Sequence, residues 1–330
     1  MQVIDKFRKT DHIFREKCIK ALRKLAQEAD VLPSTLAIEE VILSSDFPIA
    51  GGAFSDVFQG KWRDKLVAVK RPRIFKQDDE NAIMQARREI LLWRQLHDQN
   101  ILPLLGVFDE GRPFYSMVSE WMPNGTLGAF LKKEEHRKLN RTSLAHQVSK
   151  GLKFLHTHKP PVTHGDIKAS NIFVDAEERP LLGDFGLVCY DWSIERTLSF
   201  HKEGGTIGWM APELLESSGS ERFGISTDTK RTPATDVYAF AMTMLEIFTD
   251  KLPYEEDPDL LVLKKIEEEK LPDRPGDQIT ERGLTDSVWK LMNQCWSRHP
   301  ASRPKIDYIE GFMNCPRNSS RLRGMCARYV

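Results

Sequence analysis

His164-Gly165-Asp166-Ile167-Lys168-Ala169-Ser170-Asn171-Ile172-Phe173-Val174-Asp175-Ala176-Glu177-Glu178-Arg179-Pro180-Leu181-Leu182-Gly183-Asp184-Phe185-Gly186 is the stretch on which the reading of this chain turns. Two short apolar runs, Ile172 to Val174 and Leu181-Leu182, flank the polar segment Asp175 to Arg179. That is the pattern of a β-hairpin. A hairpin brings the chain back to where it left. Asn171 and Asp184, at the two open ends, are therefore expected side by side, with Asp166 just ahead of them. Two carboxylates and an amide converging there form a hard-oxygen site. Such a site suits Mg²⁺ carrying phosphates, because Mg²⁺ binds through one or two carboxylates and keeps oxygens from water and substrate. Taken singly, each Asp fits a turn or cap equally well.

The 330 residues are enough for a large core and two compact units. Lys plus Arg and Asp plus Glu both number 48, so the formal net charge is zero. That balance argues against a nucleic-acid partner held by a broad basic field. Five cysteines (18, 189, 295, 315 and 326) show neither a C-x-x-C pair nor a metal-ligand spacing. They are expected to be reduced thiols in an intracellular, cytoplasmic protein. The N-terminus MQVIDKFRKT is polar and charged, unlike a secretory signal. No apolar run approaches the roughly 18 residues of a membrane span. The richest, Val237 to Phe248, contains Glu246.

Outward from the central stretch, the chain divides into unlike halves. Residues 1–30 carry apolar positions at helical spacing among many Lys and Arg, and read as one or two amphipathic helices packed on the domain behind them. Strands are expected near Pro48–Ala50, Val57–Trp62 and Leu66–Lys70. A helix is expected over 78–96, with acids in its first turn, and two further strands over Leu104–Phe108 and Phe114–Val118. After the turn dipeptide Asn124-Gly125, helices are expected at 126–132, 141–158, about 236–249, 259–270, 285–296 and 305–313. Residues 187–235 read as long, polar and irregular, and 316–330 as a basic, loosely ordered tail. The fold class is α+β, with a β-rich front lobe and a helical rear lobe.

Three more constellations stand in order. Ile49-Ala50-Gly51-Gly52-Ala53-Phe54-Ser55-Asp56-Val57 lies between two expected strands, where small residues let backbone N–H groups approach phosphate oxygens. An ordinary hairpin turn has the same letters. Val67-Ala68-Val69-Lys70 ends a strand in a Lys that suits phosphates, and Glu89 on the next helix is placed to orient it. Either residue alone is unremarkable on a surface. Finally come Gly205-Thr206-Ile207-Gly208-Trp209-Met210-Ala211-Pro212-Glu213, then Asp236-Val237-Tyr238 opening a helix, then Cys295-Trp296 and Arg303-Pro304. A buried Glu213–Arg303 pair is expected. Asp166 is placed to accept a proton from an attacking hydroxyl, and Lys168 to neutralise a transferring phosphoryl group.

Together these motifs resemble a eukaryotic protein kinase catalytic domain over about residues 44–313. The resemblance implies a bilobal fold, with an N-lobe of about 44–121 and a C-lobe of about 122–313. It implies ATP and Mg²⁺ as cofactors and a protein as substrate. It places Ile49, Ala50, Gly51, Gly52, Val57, Ala68, Lys70, Glu120, Met122 and Asp184 around the nucleotide, with Ser119 guarding the rear of the pocket. It assigns Lys70 and Glu89 as a pair, Asp166 as catalytic base, Lys168 beside it, and Asn171 and Asp184 as Mg²⁺ ligands. Thr206 would bridge Asp166 and Lys168. Asp166-Ile167-Lys168-Ala169-Ser170-Asn171 resembles the Ser/Thr pattern D-x-K-x-x-N. Asn100 to Gly106, Trp209 to Glu213 and Cys295-Trp296 look like the tyrosine-kinase-like group, and the whole is similar to single-domain kinases of mushroom-forming fungi.

Three departures from the family pattern stand out. Ala50 and Ser55 occupy positions where glycines are usual, so a stiffer phosphate cover is expected. Gly165 replaces the Arg that commonly precedes the catalytic Asp and grips a phosphorylated loop. Phosphorylation at Tyr190, Ser193, Thr197 or Ser199 is therefore not expected to be the main switch. Ser217 to Lys230 looks like an inserted loop. Two other readings remain open on the residues. His164-Gly165-Asp166 with Asn171 also resembles the small-molecule phosphotransferases related to aminoglycoside and choline kinases. A pseudokinase would bind partners through the same fold without transferring phosphate.

Overall fold

Alternation shapes the front of the molecule. In Leu66-Val67-Ala68-Val69-Lys70, Val67 and Val69 are wholly buried while Ala68 and Lys70 are only partly so. Successive side chains of a strand point to opposite faces, so one face packs and the other fronts a cleft. The computed structural model describes residues 13–14, 17–18, 21, 24, 32–52, 55–73, 80–109, 115–186, 189–190, 207–215 and 231–315. Most of the helical segment expected within 1–30, the loop 217–230 and the tail 316–330 lie outside the described residues, as do Ala53, Phe54, Ser193, Thr197, Ser199 and Thr206.

The front lobe is an antiparallel sheet of β1 (Ile42–Leu43), β2 (Ala50–Gly51), β3 (Ser55–Trp62), β4 (Lys65–Pro72), β5 (Leu104–Phe108) and β6 (Ser116–Glu120). Its order is β1-β3-β4-β6-β5, with β2 folded onto β3. Val41, Phe58, Val67, Val69 and Val118 form a small core on one face. The other face carries Val57 opposite Lys70, Lys70 opposite Met117, and Ala68 opposite Ser119. The strand expected over 114–118 thus sits two residues later, ending at Glu120. Helix α1 (Glu80–Trp93) crosses this lobe and buries Ile90, Leu91, Leu92 and Trp93. The packed body begins ahead of residue 44. Leu32 and Leu36 join the main core, and Ile38 N–H donates to the Val107 carbonyl at 2.9 Å.

The rear lobe holds α2 (Leu127–Leu131), α3 (Arg141–Thr157), the strand β7 (Val162–Thr163) with its partner β10 (Cys189–Tyr190), and the hairpin β8 (Ile172–Val174) and β9 (Pro180–Leu182). Helices α4 (Pro233–Thr249), α5 (Asp259–Glu267), α6 (Asp286–Cys295) and α7 (Ile306–Met313) complete it. Among the described residues no helix is long and apolar enough to cross a membrane.

Helix α4 is the axis of this lobe. Every residue from Thr235 to Phe248 is buried, the pattern of a helix running through a core rather than over one. It starts at Pro233, three residues before the expected Asp236. Thr232 and Thr235 form a capping box there, and Pro233 occupies the first turn, where its missing N–H does no harm. The Glu213–Arg303 pair forms as expected. Arg303 Nη1 and Nη2 donate to the two carboxylate oxygens at 2.6 and 2.7 Å, and Arg303 also donates to the carbonyls of Ser297 and Ala234. A buried guanidinium with this many acceptors ties the segment carrying Glu213 to the start of α4.

Candidate active site

The hairpin behaves as its apolar runs predict. Ile172 pairs with Leu182 and Val174 with Pro180. The turn is fastened by Asp175, which accepts from the backbone N–H groups of Glu177 and Arg179 and from the Arg179 guanidinium. Gly183 N–H donates to the Asn171 carbonyl at 2.9 Å. Asn171 and Asp184 are thereby held at the same open end. Asn171 Nδ2 donates to the Asp166 carbonyl at 2.9 Å and to its Oδ2 at 2.7 Å. Lys168 Nζ lies 2.9 Å from the same Oδ2. The Asp166 carboxylate is thus gripped by an amide and an ammonium, which fix its orientation.

The front lobe meets this group through Lys70. Its Nζ donates to Glu89 Oε1 at 2.8 Å and to Asp184 Oδ1 at 2.7 Å. Burial works against a charged Lys70, but Asp184 and Glu89 outweigh it and hold the ammonium above its ordinary range. The Lys70 charge in turn holds the Asp184 carboxyl below the usual carboxylate range. At Glu89 burial dominates and pushes the carboxyl up, against the pull of Lys70. Asp184 has φ +57°, a left-handed conformation that costs a non-glycine residue about 1–3 kcal/mol. The Lys70 ion pair and the burial of the next residue, Phe185, offset it. Phe185 lies between Trp93 (5.5 Å between centroids) and His164 (5.4 Å). His164 Nε2 faces the Gly183 carbonyl at 3.0 Å, so that nitrogen carries the proton, and Nδ1 accepts from Asp166 N–H.

Sequence reasoning noted Asp236 and Glu246 but gave neither a role. Asp236 is wholly buried and accepts from the backbone N–H groups of His164 and Gly165, both at 2.8 Å. His156 Nε2, unnoticed in the sequence, lies 2.9 Å from Asp236 Oδ2. Thr243 Oγ1 donates to the Ile167 carbonyl at 3.1 Å, and Glu246 Oε2 accepts from Ala169 N–H at 3.0 Å. Residues 236, 243 and 246 share one side of a 3.6-residue helix. The loop from His164 to Ala169 is therefore laid along α4. Gly165 has φ +81°, which glycine adopts without the penalty a side chain would bring. The signal available in the sequence was an acid at each end of an otherwise apolar helix, since buried carboxylates need donors.

Glu246 gives a pH prediction. Burial raises its carboxyl to about 7, against the pull of the Ala169 N–H. Between the ordinary 4.5 and about 7, the unfolded chain releases this proton while the folded chain keeps it. Stability contributed at this site therefore falls as pH rises through that window. Glu246→Gln retains an acceptor for Ala169 without the charge. In urea titrations the variant is expected to match the wild type near pH 5 and to exceed it at pH 8 by about 2–3 kcal/mol.

Several residues expected around the nucleotide share one face of the front sheet. Val57, Ala68 and Lys70 share the cleft face, and Ser119 sits opposite Ala68. Ile49 and Ala50 line its edge, both exposed. Glu120 ends β6, and Met122, largely buried, accepts at its carbonyl from Gly125 N–H at 3.0 Å. Gly51 pairs with Asp56, and Gly52 N–H closes the turn by donating to the Ser55 carbonyl at 2.9 Å. The bridge expected from Thr206 lies outside the described residues.

The donor set fits Mg²⁺. Asn171 uses its amide nitrogen on Asp166, so the oxygen is what it has to offer a cation, and Asp184 has a second carboxylate oxygen beyond the one facing Lys70. Among the described residues no cluster of three His, Cys, Asp or Glu side chains forms a metal cage.

The sequence profile of the protein tyrosine and serine/threonine kinase family matches residues 43–313. The chain is 29% identical over 276 residues to the probable serine/threonine-protein kinase drkC of Dictyostelium discoideum, covering 82% of this chain and 34% of drkC. It is 27% identical to the serine/threonine/tyrosine-protein kinase HT1 of Arabidopsis thaliana, covering 83% of this chain and 66% of HT1. It is 29% identical to the Arabidopsis serine/threonine-protein kinase CTR1, covering 79% of this chain and 30% of CTR1. The chain thus spans about a third of the length of drkC and CTR1.

Proposed function

The chain belongs to the protein tyrosine and serine/threonine kinase family, and we propose that it transfers the γ-phosphate of ATP to Ser and Thr hydroxyls of a protein substrate. One observation carries this reading: Lys70 joins Glu89 of the front lobe to Asp184 of the rear lobe, beside the Asp166–Lys168–Asn171 group. ATP lies in the cleft between them. Lys70 holds its phosphates, and the backbone at Gly51, Gly52 and Ser55 covers them. Asn171 and Asp184 would hold Mg²⁺, which supplies neutralisation of phosphate charge. The Asp166 carboxylate, oriented through Oδ2 by Asn171 and Lys168, receives the proton of the attacking hydroxyl. Lys168 is placed to meet charge developing on the transferred group. Most of the acceleration is positioning and electrostatic stabilisation. A protein that consumes ATP fits an intracellular location.

The Ser/Thr preference rests on Lys168 beside Asp166 and on the similarity to relatives named as serine/threonine-protein kinases. With radiolabelled ATP and a generic protein substrate, the purified chain is expected to label Ser and Thr. Asp166→Asn is expected to lower incorporation by about 10²–10⁴-fold. Phosphotyrosine as the sole product would overturn the preference. No incorporation at any Mg²⁺ or Mn²⁺ level would favour a binding module instead.

A further inference from the structure

Ala50 and Ser55 stiffen a turn that needs freedom to reach phosphates, so its placement has to come from elsewhere. We infer that Asp56 and Arg73 form a latch that positions this turn over the ATP phosphates. The inference rests on the reading of the turn as phosphate cover. Arg73 grips Asp56 with two parallel bonds, Nε to Oδ2 at 3.1 Å and Nη2 to Oδ1 at 2.6 Å. Asp56 sits opposite Gly51 on β2 and opposite Arg71 on β4. By strand alternation the latch lies on the face away from Lys70. It is packed directly on the turn. A Cβ added to Gly51 would lie 2.8 Å from Arg73 Nη2 and 3.0 Å from Asp56 Oδ1. A side chain there would force the guanidinium to shift.

The consequence is geometric. β2 is held through Gly51, β3 through Asp56, and both are fastened to Arg73, three residues beyond Lys70 on the same chain segment. The latch therefore fixes the distance between the phosphate cover and the lysine beneath it. The Arg73 hydrogen bond above all, with the charges of Arg73 and Arg71, holds the Asp56 carboxyl below its usual range against the opposing effect of burial. Both side chains are partly exposed, at 40% and 23%. Exposed pairs add little to global stability. A bias of the same size acting on one turn is enough to move ligand affinity several-fold.

The test measures binding of Mg·ATP and of adenosine, which lacks phosphates, together with steady-state kinetics. Arg73→Met and Asp56→Asn are expected to weaken Mg·ATP binding about three- to tenfold. Adenosine affinity should move less than twofold, and the loss should appear in KM for ATP. Asp56→Arg combined with Arg73→Asp should restore ATP affinity to within twofold. Gly51→Ala should reproduce the loss in the wild type and add nothing to Arg73→Met. Unchanged ATP affinity in the single variants, or equal weakening of ATP and adenosine, would overturn the latch. Equal binding of ATP and adenosine by the wild type would overturn the phosphate-cover reading itself, and the latch with it.

Discussion

Asp184→Asn is expected to abolish phosphoryl transfer, by roughly 10²-fold or more, with the hairpin and both lobes intact. The substitution keeps the shape of the side chain and removes its charge. Two consequences follow from the geometry. Lys70 loses the stronger of the two anions that raise it, since Asp184 stands first among the charges acting on it and Glu89 second. A lysine less firmly charged and freed from the rear lobe is a poorer anchor for phosphates. The Asn171–Asp184 pair also loses its only formal charge as a cation site, and a hard cation bound through few protein oxygens depends on that charge. Calorimetry should show that Mg²⁺ no longer strengthens ATP binding, while adenosine affinity stays within threefold. Turnover within threefold of the wild type would refute the assignment of Asp184. The Lys70–Glu89 bond at 2.8 Å is predicted to survive, so the loss should not be traceable to a displaced α1.

How far the sequence carried this site depends on which interactions are local. The hairpin was legible because two apolar runs and a polar turn dictate one register, and that register alone brings Asn171 to Asp184. β3, β4 and β5 were legible from alternation or from short apolar runs. The start of α4 was not, because Thr232, Thr235 and Pro233 override the apolar pattern and begin the helix three residues ahead of Asp236. Register was also harder to read than strand existence, and β6 came two residues late. The supports of the catalytic loop were least legible. Nothing in the wording around His156 sets it apart from a surface histidine, and its partner lies 80 residues away. Gly165 looked like a subtraction, the loss of a usual Arg. The structure adds a positive reason for it: φ +81° is a conformation in which glycine is unstrained.

That glycine leads to the second large effect, at Asp236. Asp236→Ala is expected to destabilise the fold by about 3–5 kcal/mol and to disable transfer. The carboxylate is inaccessible to solvent and serves three donors: the N–H groups of His164 and Gly165, and His156 Nε2. Removing it strands two backbone donors and an imidazole in the interior, at about 1–3 kcal/mol each before relaxation. Gly165 makes the matter acute. Glycine has the widest choice of backbone conformations, so the turn that aims both N–H groups at one side chain is held by that side chain. Without it Gly165 has little reason to hold its left-handed conformation, and Asp166 drifts from the acceptor hydroxyl. Asp236→Asn separates stability from positioning. It keeps the volume and one oxygen but turns an NH₂ toward one of the three donors. At temperatures where this variant remains folded by denaturant titration, kcat should fall at least tenfold while KM for ATP stays within threefold. The reason is that Lys70, Glu89 and Asp184 are held by other contacts. A folded Asn variant with wild-type kcat would show that α4 stabilises the loop without aiming it.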